Sequence, residues 1–313
     1  MNPRAGIVVR LLALLIGLGG GLPAARANLI ETWIASFADS EIEFQRGTTD
    51  VPFLPLAYID AQHYDDTELR FESGETRSVS QSTLSQALMA PFLVTPRDAV
   101  LVGEWVSHAR FEPEASPAFD VTSVAVPVGW LRQVNTDWQV AAFVMPLGHH
   151  SDLPAGGWTL ETMGGVFTRK VESERFWWTA GAFFDVGEGD DLYLPYFGAS
   201  WTLNQHWTVS AILPWPALLW SPNRDTLFRL GASPSGTSWR LSDNGRDVSM
   251  DLSTFDVGLS VGKRLFGNIW GKLEGGVGGY RGLSLSGGDW EGIETPSEQS
   301  AYLRVGIEFR PSF

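Results

Sequence analysis

The chain has no cysteine among its 313 residues, which excludes thiolate metal centres, cysteine nucleophiles and disulfide scaffolds. It also lacks concentrated positive charge. Lys+Arg number 22 against 36 Asp+Glu, a formal charge of -14, with no basic run anywhere. A surface that grips phosphate backbone needs clustered cations, so nucleic acid is excluded as a partner. Apolar stretches of helical length are missing too. The hydrophobic opening, Leu11 to Ala25, falls short of the about 20 residues that a spanning helix needs. Leu192 to Asn223 carries no Asp, Glu, Lys or Arg, yet Pro195, Pro214, Pro216 and Pro222 interrupt it. Proline removes a backbone donor and clashes with the preceding helical turn, so this stretch is no helix.

What remains is apolar and aromatic, with 44% hydrophobic residues and 14 Trp, too hydrophobic for a disordered chain. Residues 1–27 read as a cleaved signal peptide. Arg4 and Arg10 form a positive start, Leu11 to Leu18 an apolar centre, and Ala25-Arg26-Ala27 a small-x-small cleavage site. The protein is expected to be exported. Residues 28–79 form an acidic segment (Asp39, Glu41, Glu43, Asp50, Asp60, Asp65, Asp66, Glu68, Glu72, Glu75). It reads as a first strand with a periplasmic lead or a lumen plug.

Beyond it the hydrophobic period is two. Ala301, Leu303, Val305, Ile307, Phe309, Pro311 and Phe313 alternate with Ser300, Tyr302, Arg304, Gly306, Glu308, Arg310 and Ser312. Val257, Leu259 and Val261 alternate with Asp256, Gly258 and Ser260 in the same way, and Ile269, Leu273 and Val277 with Lys272, Glu274 and Gly276. Such dyads mark strands with one apolar face. Tight turns near 95–98, 133–138, 203–207, 222–225 and 265–269 alternate with polar loops at 109–120, 148–157, 242–248 and 286–298. That is the plan of a membrane barrel, short-turned on the periplasmic side and long-looped outside. Strands are expected near 80–93, 99–108, 120–133, 138–147, 158–171, 175–186, 191–203, 207–213, 217–221, 226–241, 248–265, 269–285 and 299–313. An even total requires one more, and Leu56 to Phe71 supplies it. The fold class is therefore all-β, a transmembrane antiparallel up-and-down barrel of 14 strands over residues 80–313 and this first strand, or 12 if 217–221 is not a strand. Trp105, Trp130, Trp138, Trp158, Trp201, Trp207, Trp239 and Trp270, at strand ends, are expected in interfacial girdles.

The last strand, closing on Phe313 with apolar residues at every second place, resembles the C-terminal signal read by the barrel-assembly machinery of Gram-negative outer-membrane proteins. Pro311 stands where that signal usually has an aromatic. The stretch Tyr193-Leu194-Pro195-Tyr196-Phe197-Gly198, with Trp201, Trp207 and Ile212-Leu213-Pro214-Trp215-Pro216, resembles an uncharacterised family of bacterial outer-membrane barrels. The resemblance implies location and architecture and brings no activity. The surroundings it implies are outer-membrane lipid and lipopolysaccharide, with the assembly machinery as a partner; oligomeric state stays open.

Two kinds of site emerge. Asp185, Arg229, Asp256, Arg264, Lys272, Glu274, Arg304 and Glu308 are candidates for the lumen, where opposite signs would form a plugging network or a transverse field along a channel. His149-His150-Ser151-Asp152 at a loop entrance raises an enzymatic alternative, because His149 and Ser151 share one face of a strand and a serine nucleophile needs such a base. Asp152, adjacent in sequence, is poorly placed to complete a triad. Adjacent histidines point to opposite sides of a strand, so no metal site is expected. Gly187-Glu188-Gly189-Asp190-Asp191 lacks the spaced ligands of a calcium loop, and no cofactor is implied. The expected role is passive passage or binding of small solutes. The alternatives are a lipid hydrolase using Ser151 and His149, and a structural or surface-interaction barrel.

Overall fold

The computed structural model describes residues 40–43, 49–70, 76–114, 118–152, 158–187, 192–243, 246–286 and 298–311. The signal segment, Phe313, most of Gly187–Asp191 and most of the 286–298 loop lie outside them. Clustering of backbone contacts separates 1–41, with Phe313, from a unit spanning Ile42–Ser312. That larger unit is one antiparallel sheet. Its strands are β1 (Ala57–Arg70), β2 (Thr76–Thr95), β3 (Asp98–Pro113), β4 (Phe119–Ala125), β5 (Val128–Gln133), β6 (Trp138–Ser151), β7 (Trp158–Ser173), β8 (Phe176–Gly187), β9 (Leu192–Thr202), β10 (Trp207–Leu213), β11 (Ala217–Asn223), β12 (Thr226–Asp243), β13 (Arg246–Phe266), β14 (Ile269–Ser286) and β15 (Glu298–Phe309).

β4 and β5 are halves of one stave, since both lie between β3 and β6. Pro127 separates them because it has no N–H for the ladder. The sheet closes where β1 meets β15, from Ala57↔Phe309 to Tyr64↔Tyr302. The result is a closed barrel of 14 staves. Closure matters because backbone groups find no partner in hydrocarbon, so only a sheet without edges crosses it.

The apolar face of each strand is the exposed one. Leu303, Val305 and Ile307 are each at least half exposed, as are Leu259, Leu273, Val166 and Leu160, whereas Asp256, Glu274 and Glu308 are buried. A continuous belt of exposed aliphatics on a closed barrel is a surface for lipid. At the short-turn rim Trp207, Trp220 and Phe228 stack at 5.7 and 4.8 Å, and the Lys170 ammonium lies 5.6 Å from Trp138. Tryptophan favours this level because its ring is apolar and its N–H polar.

The first strand, expected at Leu56 to Phe71, is β1, Ala57–Arg70, and the acidic segment supplies it. Several expectations need correction. β6 runs through Ser151, placing His149 and Ser151 in a strand and not at a loop entrance. β12 and β13 reach Asp243 and Arg246, so the loop placed at 242–248 is nearly all strand. In β6, β12 and β13 ladder pairing carries the strand past the end that alternation alone suggests. Trp270 is fully buried between Arg264 and Arg310, at 5.3 and 5.8 Å, and belongs to no girdle. Trp105 also faces inward, paired between inward Ala87 and buried Ala125. The side chain of Trp239 lies outside the described residues. Outward charge sits mainly at the rims, but Glu104, within hydrogen-bond distance of Gln86 (3.4 Å), faces outward between Val102 and Val106.

Candidate functional site

The lumen is the candidate site, and its two opposite walls differ. The first wall is made by β13, β14, β15 and β1, where Glu274 gathers the charges. Lys272 Nζ lies 2.7 Å from Glu274 Oε2, Tyr302 Oη donates to Oε1 at 2.9 Å, and Arg304 Nη1 is 3.8 Å away. Arg304 Nη2 donates to Gln62 Oε1 at 2.7 Å and lies 4.0 Å from Asp256, whose carboxylate accepts from Tyr64 Oη at 2.7 Å. Lower down, Arg310 pairs with Glu308 at 2.7 Å. Carboxylates this well buried are tolerable because each is paired. Tyr302 fits because Gly258 and Gly276 leave room; a methyl on Gly258 would strike its hydroxyl.

The second wall, β6 to β9, is aromatic. Phe143 stacks on Phe167 at 5.8 Å and lies 6.4 Å from Phe183, and Phe167 meets Tyr196 edge-on at 4.8 Å. These rings belong to strands that are not all neighbours, and glycine makes the contacts possible. Gly165 pairs with both Phe143 and Phe183, and Gly181 pairs with both Phe167 and Tyr196. A side chain on either glycine would occupy the space between the rings. Counting staves, this wall stands half a circumference from the ionic one.

Near the long-loop end of the second wall is a polar cluster. His149 Nδ1 is 2.8 Å from Ser123 Oγ, and Nε2 is 3.1 Å from Glu161 Oε2. The carboxyl of Asp185 lies beside that of Glu161. Both ring nitrogens of His149 are thereby engaged, by Ser123 and by Glu161. Ser123 and Ser151 are both at most 3% exposed.

The short-turn mouth holds a third feature, a strap formed by the chain before β1. Glu43 N donates to Gln133 Oε1, and Gln139 Nε2 and Arg169 Nη1 donate to its carbonyl. These partners come from β5, β6 and β7 and point inward, so Glu43 lies inside the rim. Asp50 then binds two turns further round: Gln205 Nε2 and Arg224 Nε donate to its carboxylate at 3.0 and 3.2 Å, and His206 lies 3.4 Å away. Burial pushes the Asp50 carboxyl up, but the Gln205 amide and the Arg224 guanidinium outweigh it and hold the group below the usual carboxylate range. Arg310 Nη1 donates to Phe53 O, and Leu56 N to Phe309 O, which delivers the strap to β15.

Of the residues singled out from sequence, Asp256, Lys272, Glu274 and Arg304 meet in one network, and Glu308 pairs just below it. Asp185 belongs to the His149 cluster on the far wall. Arg229 folds over Gly231 and stands apart from both. Arg264 is at the rim, 3.3 Å from Asp225 in the β11–β12 turn, and takes no part in the transverse array. Gln62, Tyr64, Tyr302, Ser123, Glu161 and Asp50 were missed. Tyr302 was legible by alternation with Leu303. Gln62, Tyr64, Ser123 and Glu161 share a site only through strand pairing, and Asp50 only through the turns that bind it. Among the described residues no group of three or more His, Asp or Glu could hold a metal ion.

No protein-family model matches the chain, and no curated protein matches it. Solved structures of barrels do resemble it. The COG4313 outer-membrane channel from Pseudomonas putida F1 superposes with a TM-score of 0.46 at 10% identity, covering 85% of this chain and 99% of that one. The Pseudomonas putida toluene transporter TodX gives 0.41 at 10% identity, covering 88% and 98%. The translocator domain of the Neisseria meningitidis autotransporter NalP gives 0.39 at 12% identity, covering 92% and 97%.

Proposed function

We propose that the protein is an outer-membrane channel for the passive passage of small solutes, strapped at its periplasmic mouth. The observation that carries this reading is the width of a lumen lined by buried charge. Fourteen staves about 4.8 Å apart and tilted by about 40° enclose a ring about 28 Å across at the backbone. Side chains fill the interior of a barrel of about eight strands; fourteen staves leave a gap, narrowed where β12 approaches β6 and β7. Arg304 and Lys272 on one wall present fixed charge to that gap, as a polar channel requires. The signal peptide and a C-terminal strand read by the assembly machinery would deliver the chain to the outer membrane, with lipid and lipopolysaccharide around it. No catalytic step is proposed, because His149, Ser123 and Ser151 are all at most 3% exposed, closed off from a substrate.

Purified protein in planar bilayers should give discrete conductance steps. Complete absence of steps, with the protein folded by the heat-modifiability of its gel migration, would overturn the reading. In that case lipid turnover by the protein, lost in Ser151→Ala, would revive the hydrolase alternative.

A further inference from the structure

The barrel wall is not of even height. β10 and β11 hold 7 residues each, whereas β9 beside β10 holds 11 and β12 beside β11 holds 18. Seven residues on a strand tilted by about 40° rise about 18 Å, short of the ~25 Å apolar band of an outer-membrane barrel. β9 pairs with β10 as far as Phe197↔Leu213, and β12 with β11 as far as Gly231↔Ala217, with Ala232 N donating to Pro216 O one step higher. Above these pairs, among the described residues, β9 forms ladder pairs with β8 alone and β12 with β13 alone. The extracellular half of the wall therefore carries a notch two strands wide.

An unpaired strand edge facing hydrocarbon is costly, and this chain adapts to it on every side. Pro195 lies on β9, Pro214 and Pro216 at the hairpin tip, and Pro234 on β12. Proline is accepted in a strand at an unpaired edge, where no ladder bond is lost. β12 also approaches β6 and β7, nearly across the barrel. Beyond Ala232 β12 is released from β11 and stays paired with β13 as far as Asp243↔Arg246.

The aromatic wall leads to this notch. Trp215, at the tip of the low hairpin and 38% exposed, lies 5.7 Å from the inward-facing ring of Tyr196, which meets Phe167 and, through it, Phe143. The rings make a continuous track from inside the barrel to its side. Ring contacts of this kind select flat apolar groups by stacking and edge-to-face packing, while a charged solute is held by the opposite wall. We propose that the notch is a lateral door through which neutral aromatic solutes pass between the lumen and the outer leaflet. This rests on the passage reading and adds to it a solute class and a route.

The test uses N-phenyl-1-naphthylamine, a neutral aromatic that fluoresces on entering acyl chains. Cells making the protein should take it up several-fold faster than cells without it. Trp215→Cys, in a chain with no other cysteine, coupled to a bulky maleimide, should return uptake to background while bilayer conductance keeps its value. Four residues inserted at the hairpin tip, raising the wall, should do the same; heat-modifiability reports folding of both variants. Uptake unaffected by both closures, or no faster than background while conductance is normal, would overturn the door and leave passage standing. Absent conductance would overturn passage itself.

Discussion

The β6–β9 wall and the wall of β13, β14, β15 and β1 face each other across one lumen and use glycine in the same way to opposite ends. On the first, Gly165 and Gly181 let Phe143 reach Phe183 and Phe167 reach Tyr196 across an intervening strand. On the second, Gly258 and Gly276 leave room for Tyr302, whose hydroxyl then binds Glu274. In both cases an absent side chain is a seat for a neighbour's. The character of each wall is set by what occupies the seats. Rings give contacts that tolerate displacement, whereas the ionic wall is interdependent, each charge tolerable only while its partners stay.

That contrast can be broken most strongly at Glu274. Replacing it with Leu leaves Lys272, Arg304 and the Tyr302 hydroxyl without their shared acceptor, and breaking a buried ion pair costs about 3–5 kcal/mol. The expected result is a lower midpoint in urea unfolding, read by gel mobility without boiling; an unchanged midpoint would mean that water replaces the carboxylate freely. On the aromatic wall Gly181→Val should cost about 1–3 kcal/mol, since its side chain would meet Val166 O and Phe167. It should also slow uptake of the aromatic probe without altering ion conductance. Equal effects of both variants on conductance would erase the distinction between the walls.

The strap offers the smallest effect and the cleanest control, because it belongs to neither wall. Asp50 has its carboxyl held below the usual range in the folded protein. Its contribution is therefore fully present above the ordinary carboxylate pKa of about 3.9 and is lost as pH falls through the lower folded value. Conductance should stay level from pH 7 to pH 5 and rise below about pH 4 as the strap loosens. Asp50→Asn should raise it at neutral pH, removing up to about 1 kcal/mol of ion pairing with the exposed Arg224. A rise already complete at pH 5 would point to another titrating group.

Much of the wall was legible from residues alone. The alternation of Leu303, Val305 and Ile307 with Arg304 and Glu308 gave both the strand and its facing, because lipid on one side imposes an apolar residue at every second place. The strand at 217–221, short and bounded by prolines, is a true stave, and the first strand lies where an even count required it. His149 and Ser151 share one face of β6, and pairing with β4 and β7 brings Ser123 and Glu161 to the two ring nitrogens of His149. The strap was legible only as an acidic lead, since neither Asp50 nor Glu43 carries any mark of the turns that receive it.

Composition and period alone determined that this chain forms a closed sheet with its greasy side outermost, since a two-residue repeat is a local property that every strand states for itself. The height of each stave, the meeting of Arg304 with Glu274 and the seating of Phe167 against Tyr196 were decided only by the fold. Those depend on which residues stand opposite one another, and register between strands is fixed by the closure of the whole ring.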